Sequence, residues 1–515
     1  DLVQDYLEKS EKLKPYYGFY PDREGFSKLL STNPYPLFNR PQLSDILLEQ
    51  HKLVANTSRK TTEHILKLRE KNVFTITTGH QLCLFTGPLY FIYKIISAIN
   101  LAEKLNTEFP SCYFVPVYWM ASEDHDFKEI NHLHLFGKKL VWQTEQTGAV
   151  GDFKTKELER FKNDLRDVLG TSENASYLVS LFEHAYLQHE TLSEATRFLV
   201  NELFGDYGLV TLDGNDKKFK DQFVDHFKAD IFGESHFKAV TESIDSLKSL
   251  GYEAQVKPRQ INSFFLKTGF RGRFEGDGET YKVVGSDLSF TKPELERLIE
   301  EHSETISPNV VLRPLYQQCI LPNVAYIGGP GELAYWLEFK KMFDSHTVQF
   351  PILIPRNFIS IIEKPLKNKI RKLDFSEEDF FKSETELLKQ MQIKSGAVFV
   401  VVEEKEKLSK IYQVLSEKII DIDKTLVGSV NAELQKVLSG LENISGKANR
   451  AIKLQMDSEI GQIKNIKQKI FPEGIPQERY ENFSAFYLRF GKEFLKTLKN
   501  KTDPFVIEQY LLIED

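Results

Sequence analysis

From residue 72 onward, short apolar runs alternate with longer stretches of helical periodicity. NVFTITTGHQ is a β-branched run ending in the polar turn Thr77-Thr78-Gly79-His80, which predicts a buried strand. After Gly87-Pro88, LYFIYKIISAINLAEKLN has the apolar content of a buried helix. A proline just inside a helix start fits, because its missing N–H would have had no partner there. CYFVPVYWM at 112–120 predicts a second strand, followed at once by Ser122-Glu123-Asp124-His125-Asp126. GLVTLDG at 208–214 and PILIPR at 351–356 read as further strands, and residues 151–205, 219–251 and about 334–343 as helical. Continuous apolar strands separated by helices define an α/β class, a Rossmann-like parallel sheet covered on both faces. Its ligands are expected beyond the carboxyl ends of the strands, where the polar clusters fall.

The flanks have a different texture. Residues 45–57 and 61–71 show mixed helical faces, and 34–41 is a proline-rich connector. Residues 255–300 carry short alternating stretches split by glycines, the pattern of a hairpin insertion. From about 376, Leu408, Ile411, Leu415, Ile419, Ile422, Leu426, Val430, Leu434, Leu438 and Leu441 recur at spacings of three and four. They predict one long helix approaching roughly 60 Å at about 1.5 Å per residue. Gly446 marks its turn, and Ile452, Met456, Ile460, Ile463, Ile466 and Ile470 continue the stripe on a returning helix. Gly440, Gly446 and Gly461 favour packed long helices over an ideal heptad rope. The aromatic tail FPEGIPQERYENFSAFYLRFG is expected to return to the main body. The expected division is therefore 1–70 as a helical segment packed on the core and 71–375 as the core, with insertions at about 151–205 and 255–300. The remainder divides into 376–470 as a helical arm and 471–515 as a returning segment.

Composition narrows the function classes. The 515 residues hold 41% hydrophobic side chains with 39 Phe and 21 Tyr, enough for a large ordered core. A net charge of -7 gives no electrostatic reason to expect nucleic acid or an anionic membrane. No apolar run reaches the roughly 20 residues needed to span a bilayer, and DLVQDYLEKSEK lacks the basic-then-apolar order of a leader, so a cytoplasmic location is expected. Cys83, Cys112 and Cys319 are widely separated, which suits reduced thiols and gives no zinc spacing.

Three clusters carry candidate chemistry. In TTGHQLCLFTGPLY, free N–H groups at the helix start can face an anion, and His80 could contact a phosphate, a carboxylate or a leaving group. Thr78, Gly79 and Gly87 are candidate cofactor contacts and Gln81 a candidate substrate contact, although neither GxxxxGK[ST] nor GxGxxG is present. In WMASEDHDFKEINHLHLF, Glu123, Asp124, His125 and Asp126 could hold an amine, orient a base or bind a divalent ion. The histidine spacing matches no strong zinc pattern, so no structural metal is expected. His125 is the expected general base, because an imidazole pKa near 6.5 allows proton uptake near neutrality. In SPNVVLRPLYQQCILPNVAYIGGPGELAYW, Arg313 and Arg356 suit bidentate carboxylate or phosphate contacts. Gln317, Tyr326 and Glu332 are candidate substrate contacts, with Gly328, Gly329 and Gly331 for a cofactor.

TGHQLCLFTGPLYFIYKI, YWMASEDHDFKEIN, LRPLYQQCILPNVAYIGGPGELAYW and FPEGIPQERY, in that order, make the chain resemble the cysteine-adding ligase family of bacillithiol biosynthesis. The resemblance implies a Rossmann-type core related in shape to class I aminoacyl-tRNA synthetases and a coiled-coil domain that forms a homodimer. It also implies condensation of L-cysteine with the amino group of glucosaminyl malate. ATP or ADP with Mg²⁺ would be the associated nucleotide. Thr77-Thr78-Gly79-His80 matches only the second histidine of the synthetase His-x-Gly-His signature. The alternatives are a cysteine-activating nucleotidyltransferase with another acceptor, or a non-catalytic dimeric protein that binds a nucleotide or thiol.

Overall fold

The computed structural model describes residues 1–32, 39–394, 399–455 and 457–514. The proline connector at 34–41 therefore lies mostly outside the described residues, as does Met456 of the predicted stripe. The chain divides into two units, Asp1–Ile359 with Glu478–Tyr510, and Ser360–Gln477 with Leu511–Asp515.

The first unit is built on five parallel strands: β1 (Val73–His80), β2 (Tyr113–Met120), β3 (Val210–Asp213), β4 (Asn323–Gly328) and β5 (Ile352–Pro355). Their order is β5-β4-β1-β2-β3. The helices that matter most for the site are α1 (Tyr90–Glu108), α2 (Leu312–Ile320) and α3 (Pro330–Leu337). The chain winds from β1 through β2 to β3, then crosses back to the other side of β1 for β4 and β5. The crevice between the carboxyl ends of β1 and β4 is thus a topological switch point, where open α/β sheets bind ligands.

Residues 325–332 carry candidate site residues and no expected strand, yet the structure makes most of that stretch the fully buried β4. A polar residue opens this strand, and its neighbours satisfy it. Asn323 Oδ1 accepts from Thr77 Oγ1 at 2.7 Å and Thr75 Oγ1 at 3.3 Å, while its Nδ2 donates to Gln318 Oε1 at 2.7 Å. Such a network fixes register, because every buried polar group finds its partner in only one alignment.

Residues 255–300 do more than form the expected hairpin. Ser263–Lys267, Phe270–Gly276, Thr280–Val283 and Ser289–Thr291 pair antiparallel in succession, and Ile306–Pro308 adds beside Ser263–Lys267. The result is a second five-stranded sheet. Between β2 and β3 the helices Glu159–Leu169, Glu173–Tyr186 and Leu192–Phe204 follow the periodicity predicted for 151–205.

Two expected boundaries move. The first unit ends at Ile359 instead of 375, because Ile362, Ile370 and Phe375 share a core with Phe380, Leu387, Ile463, Ile466 and Ile470 in the second unit. The returning segment begins at Glu478 instead of 471. It is held by Asn482, whose Nδ2 donates to the carbonyls of Phe85 at 2.8 Å and Gly87 at 2.6 Å.

The second unit contains the predicted long helices, but the turn is misplaced in the sequence reading. The chain bends between Val402–Ile420 and Val427–Gln455, then continues as Asp457–Ile470. Asp423 caps the bend, accepting from Thr425 N at 2.9 Å and Thr425 Oγ1 at 2.7 Å. An Asx turn of this kind competes with helix hydrogen bonding, whereas Gly440 and Gly446 are tolerated inside a helix. Among the described residues no helix is long and apolar enough to cross a membrane.

Candidate active site

A cavity of about 600 Å³ opens at the switch point, a volume suited to small metabolites. His80 reaches it from the end of β1, Glu123, Asp124 and His125 from the loop after β2, and Tyr326 from β4. Arg313 enters from the first turn of α2 and Glu332 from the first turn of α3. The second sheet closes one side with Phe264 and Arg271. Gly79 and Gln81 also line the cavity.

The floor is a buried ion pair. Lys94 Nζ donates to Glu332 Oε1 at 2.8 Å and Oε2 at 2.7 Å, and also to the Gly79 carbonyl. Glu332 further accepts from Tyr326 Oη and the Gly329 N–H, each at 2.8 Å. Burial opposes its ionisation, but Lys94 and these donors outweigh that and hold the carboxyl below its ordinary range. For Lys94 burial dominates and lowers the ammonium pKa, with Glu332 opposing.

His80 stands beside this pair. Burial, reinforced by Lys94, lowers its pKa to about 3, so the ring is neutral throughout the physiological range. Its Nδ1 faces the Gln81 carbonyl at 3.1 Å. A carbonyl only accepts, so Nδ1 carries the proton and Nε2 keeps its lone pair for a ligand. Cys83 Sγ lies 3.7 Å from the same Nδ1, but burial pushes that thiol up to about 12, which removes it as a thiolate nucleophile.

The cavity lining carries both charges. Asp124 Oδ2 and Glu129 Oε2 both accept from the Gln81 amide, at 2.7 and 2.8 Å, and Asp124 Oδ1 accepts from the His125 N–H at 2.7 Å. Glu123 pairs with fully buried Lys220 at 2.8 Å. Beside His125, Arg271 donates to Ser307 Oγ at 3.1 Å and to the Pro308 carbonyl at 3.0 Å. Arg313 donates from Nη1 to Gln317 Oε1 at 3.0 Å, and its Nη2, near the Tyr335 side chain, is buried without a well-formed acceptor among the described residues. A buried guanidinium nitrogen without a partner is costly, and an anionic ligand would relieve that cost.

Several predicted residues receive other work. Arg271 Nη1 lies 2.9 Å from His125 Nδ1. Guanidinium only donates, so the imidazole lone pair expected to act as base is already engaged. Burial and Arg271 lower the His125 pKa. Asp126 is exposed and outside the cavity lining. Gln317 is buried behind Arg313. Arg356 is bound bidentate to Glu478 at 2.9 and 2.6 Å and does not line the cavity. Thr78 Oγ1 donates to the Ile327 carbonyl at 2.9 Å. Gly87 makes a turn at φ +60°. Gly329 gives its N–H to Glu332, and Gly328 and Gly331 do not line the cavity, so the glycine run serves to cap α3. At Gly79 a Cβ would lie 3.3 Å from Tyr326 Oη and 3.5 Å from Arg313 Nη1. The missing side chain therefore makes room for the Tyr326 hydroxyl, the nearer of the two.

Lys94, Arg271 and Lys220 escaped the sequence reading. Lys94 left a usable signal, since it is a lone cation within the apolar run LYFIYKIISAIN and a buried lysine demands a partner. Arg271 left none, because its role depends on a sheet whose pairing the sequence did not reveal.

A doubly wound α/β unit with a charged cavity at its switch point defines a protein that handles small polar metabolites. The family comparison is specific. Residues 1–357 match the family described as bacillithiol biosynthesis BshC, N-terminal Rossmann-like domain, and residues 359–514 match its C-terminal coiled-coil domain. The chain belongs to the BshC family. A relative from Flavobacterium psychrophilum is 41% identical over 507 residues, covering 98% of this chain and 95% of the relative. Another from Flavobacterium johnsoniae is 40% identical over 506 residues, with coverage of 98% and 95%. One from Cytophaga hutchinsonii is 37% identical over 504 residues, with coverage of 98% and 94%. All three bear the provisional name cysteine ligase BshC.

Proposed function

We propose that this protein is a ligase that joins the carboxyl group of L-cysteine to the amino group of glucosaminyl malate in bacillithiol biosynthesis. The observation that carries this reading is one cavity lined by both carboxylates and guanidinium groups. Asp124 and Glu129 offer carboxylates to an amine, while Arg271 and Arg313 offer cationic groups to carboxylates. An amino sugar bearing a dicarboxylate presents both charges in one molecule, and charge-assisted hydrogen bonds orient it. His80 Nε2, neutral and with a free lone pair, accepts a hydrogen bond from the attacking amine and orients it. The nitrogen bonds to the cysteine carbonyl carbon, the bond from that carbon to its activating group breaks with the electron pair, and the amine proton goes to solvent. An amide forms in water only from an activated carboxyl, and ATP with Mg²⁺ is the proposed activating reagent. Free thiols at Cys83, Cys112 and Cys319 suit a cytoplasmic setting.

Purified protein with cysteine and glucosaminyl malate, with and without ATP and Mg²⁺, is expected to yield the conjugate by mass spectrometry. Arg313→Met is expected to raise KM for the dicarboxylate about 10-fold or more, the scale of one hydrogen bond to a charged group. Cysteine-dependent ATP–pyrophosphate exchange that ignores the sugar would instead favour a nucleotidyltransferase with another acceptor. No turnover under any condition would favour a binding protein.

We further propose that the helical arm forms a homodimer. Val402–Ile420 has no buried residue, and Ile411 and Ile422 are 61% and 79% exposed. An apolar stripe left this open requires cover, and twofold pairing is the simplest closed arrangement. Light scattering is expected to give a dimer at micromolar concentration and a monomer after deletion of residues 378–468. A monomeric full-length chain would defeat the assignment.

A further inference from the structure

Away from the cavity, three histidines meet in the first unit. His226 lies on Val224–Gly233, His236 on Ser235–Ser249, and His346 follows Lys340–Ser345. One ring nitrogen from each lies within 4.8 Å of the others. Cys319, near the end of α2, places Sγ 3.5 Å from His226 Nε2. We propose that His226, His236, His346 and Cys319 form a binding site for a divalent ion of the zinc class.

The donor set suits that ion. Three imidazoles and one thiolate make a four-coordinate shell of the nitrogen and sulfur donors that zinc takes. Tetrahedral zinc with bonds of about 2.0–2.3 Å places neighbouring donors about 3.3–3.7 Å apart. The imidazoles reach that spacing by closing roughly 1 Å, and Cys319 Sγ, already at that distance from His226, completes the shell by turning toward the other two rings.

The polar groups also lack other employment. His236 is fully buried, and neither of its ring nitrogens has a hydrogen-bond partner. His346 Nε2 is likewise buried and unpartnered. Two unsatisfied nitrogens on one buried ring are expensive, and a metal bond would satisfy one of them. The other faces Asp230, whose Oδ1 is 3.8 Å from His236 Nδ1. A carboxylate behind a histidine orients the ring and raises its basicity toward a metal. Burial lowers the pKa of His226 to about 4 and of His236 to about 3, so both are neutral ligands at pH 7. Cys319 is a thiol pushed up to about 12 by burial, so coordination releases one proton to solvent as the S–H bond is exchanged for an S–metal bond. His226 and His346 are only partly buried, which leaves the ion a path from solvent.

The site would act by tethering. Arg313 stands in the first turn of α2 and Cys319 in its last, about 9 Å apart along the axis at about 1.5 Å per residue. An ion at Cys319 would tie that end of α2 to the paired helices carrying His226 and His236, holding the helix that presents Arg313 without touching substrate.

Tag-free, full-length protein should be stripped with a chelator, loaded with Zn²⁺ and exhaustively dialysed. About one zinc per chain is expected by mass spectrometry, with a raised Tm. Cobalt loading should give tetrahedral visible bands and a thiolate-to-cobalt charge-transfer band that Cys319→Ser abolishes. His226→Asn and His346→Asn, both at partly exposed positions, should each lower zinc affinity by more than the roughly 10–100-fold typical of an outer-shell partner. Failure of the parent chain to retain zinc overturns the proposal. Retention unchanged in both histidine variants would show an adventitious ion only and overturn it equally.

Discussion

Replacing His80 by alanine is expected to lower kcat for cysteine addition by about 10-fold or more, the scale of one lost hydrogen bond to a group that carries charge in the transition state. His125→Ala should act mainly on KM, because its ring touches Arg271 with its only lone pair. The pH profile separates the two histidines. With a pKa of about 3, His80 is unprotonated at every pH where the enzyme works, so kcat should show no acidic limb near 6.5. A limb there that disappears in His125→Ala, with His80→Ala nearly as active as the parent, would return the role to His125. Stability gives a second reading of the same shift. His51 and His80 are held at about 3 and His64 at about 4, each below its ordinary 6.5, and burial is the main cause in all three. The unfolded chain therefore binds more protons than the folded one between about pH 3 and 6.5. The contribution is fully present above 6.5 and is lost as the pH falls through that window.

The second large effect is on the fold. Lys94→Met should destabilise the first unit by about 3–5 kcal/mol, because removing one partner leaves a buried charge uncompensated. Lys94→Met combined with Glu332→Gln should recover part of the loss, since the stranded carboxylate is then gone. Trp119, Trp142 and Trp336, the three tryptophans of the chain, all lie in this unit, so their fluorescence during urea unfolding reports it selectively. A Lys94→Met variant within about 1 kcal/mol of the parent would show a pair closer in worth to an exposed one.

What the sequence disclosed follows the range of the interactions involved. β1, β2 and β5 were readable because apolar, β-branched runs announce buried strands locally. β4 was hidden because Asn323, Gly328 and Gly329 look like turn residues until Thr75 and Thr77 are placed beside Asn323. His80, Asp124, Arg313 and Glu332 were legible as polar residues at strand ends, and all four line one cavity. The choice of His80 over His125 was not legible, because it turns on Arg271, which is 146 residues from His125. Arg356 shows the same limit, since its partner Glu478 lies 122 residues away.

The placement of β4 has a bearing on how the protein is made. β1 sits in the middle of its sheet, between β2 and β4. On the ribosome, the edge destined for β4 stays open until residue 328 has emerged. At roughly 5–20 residues per second, the interval after β1 amounts to roughly 12–50 seconds of synthesis. Throughout it the nascent chain presents an unpaired, β-branched edge to its neighbours. A stall or truncation before Asn323 would leave that edge exposed indefinitely. Messages carrying such a lesion are thus expected to yield aggregates instead of a soluble amino-terminal half, and a chaperone that shields extended strands would be needed most during this interval.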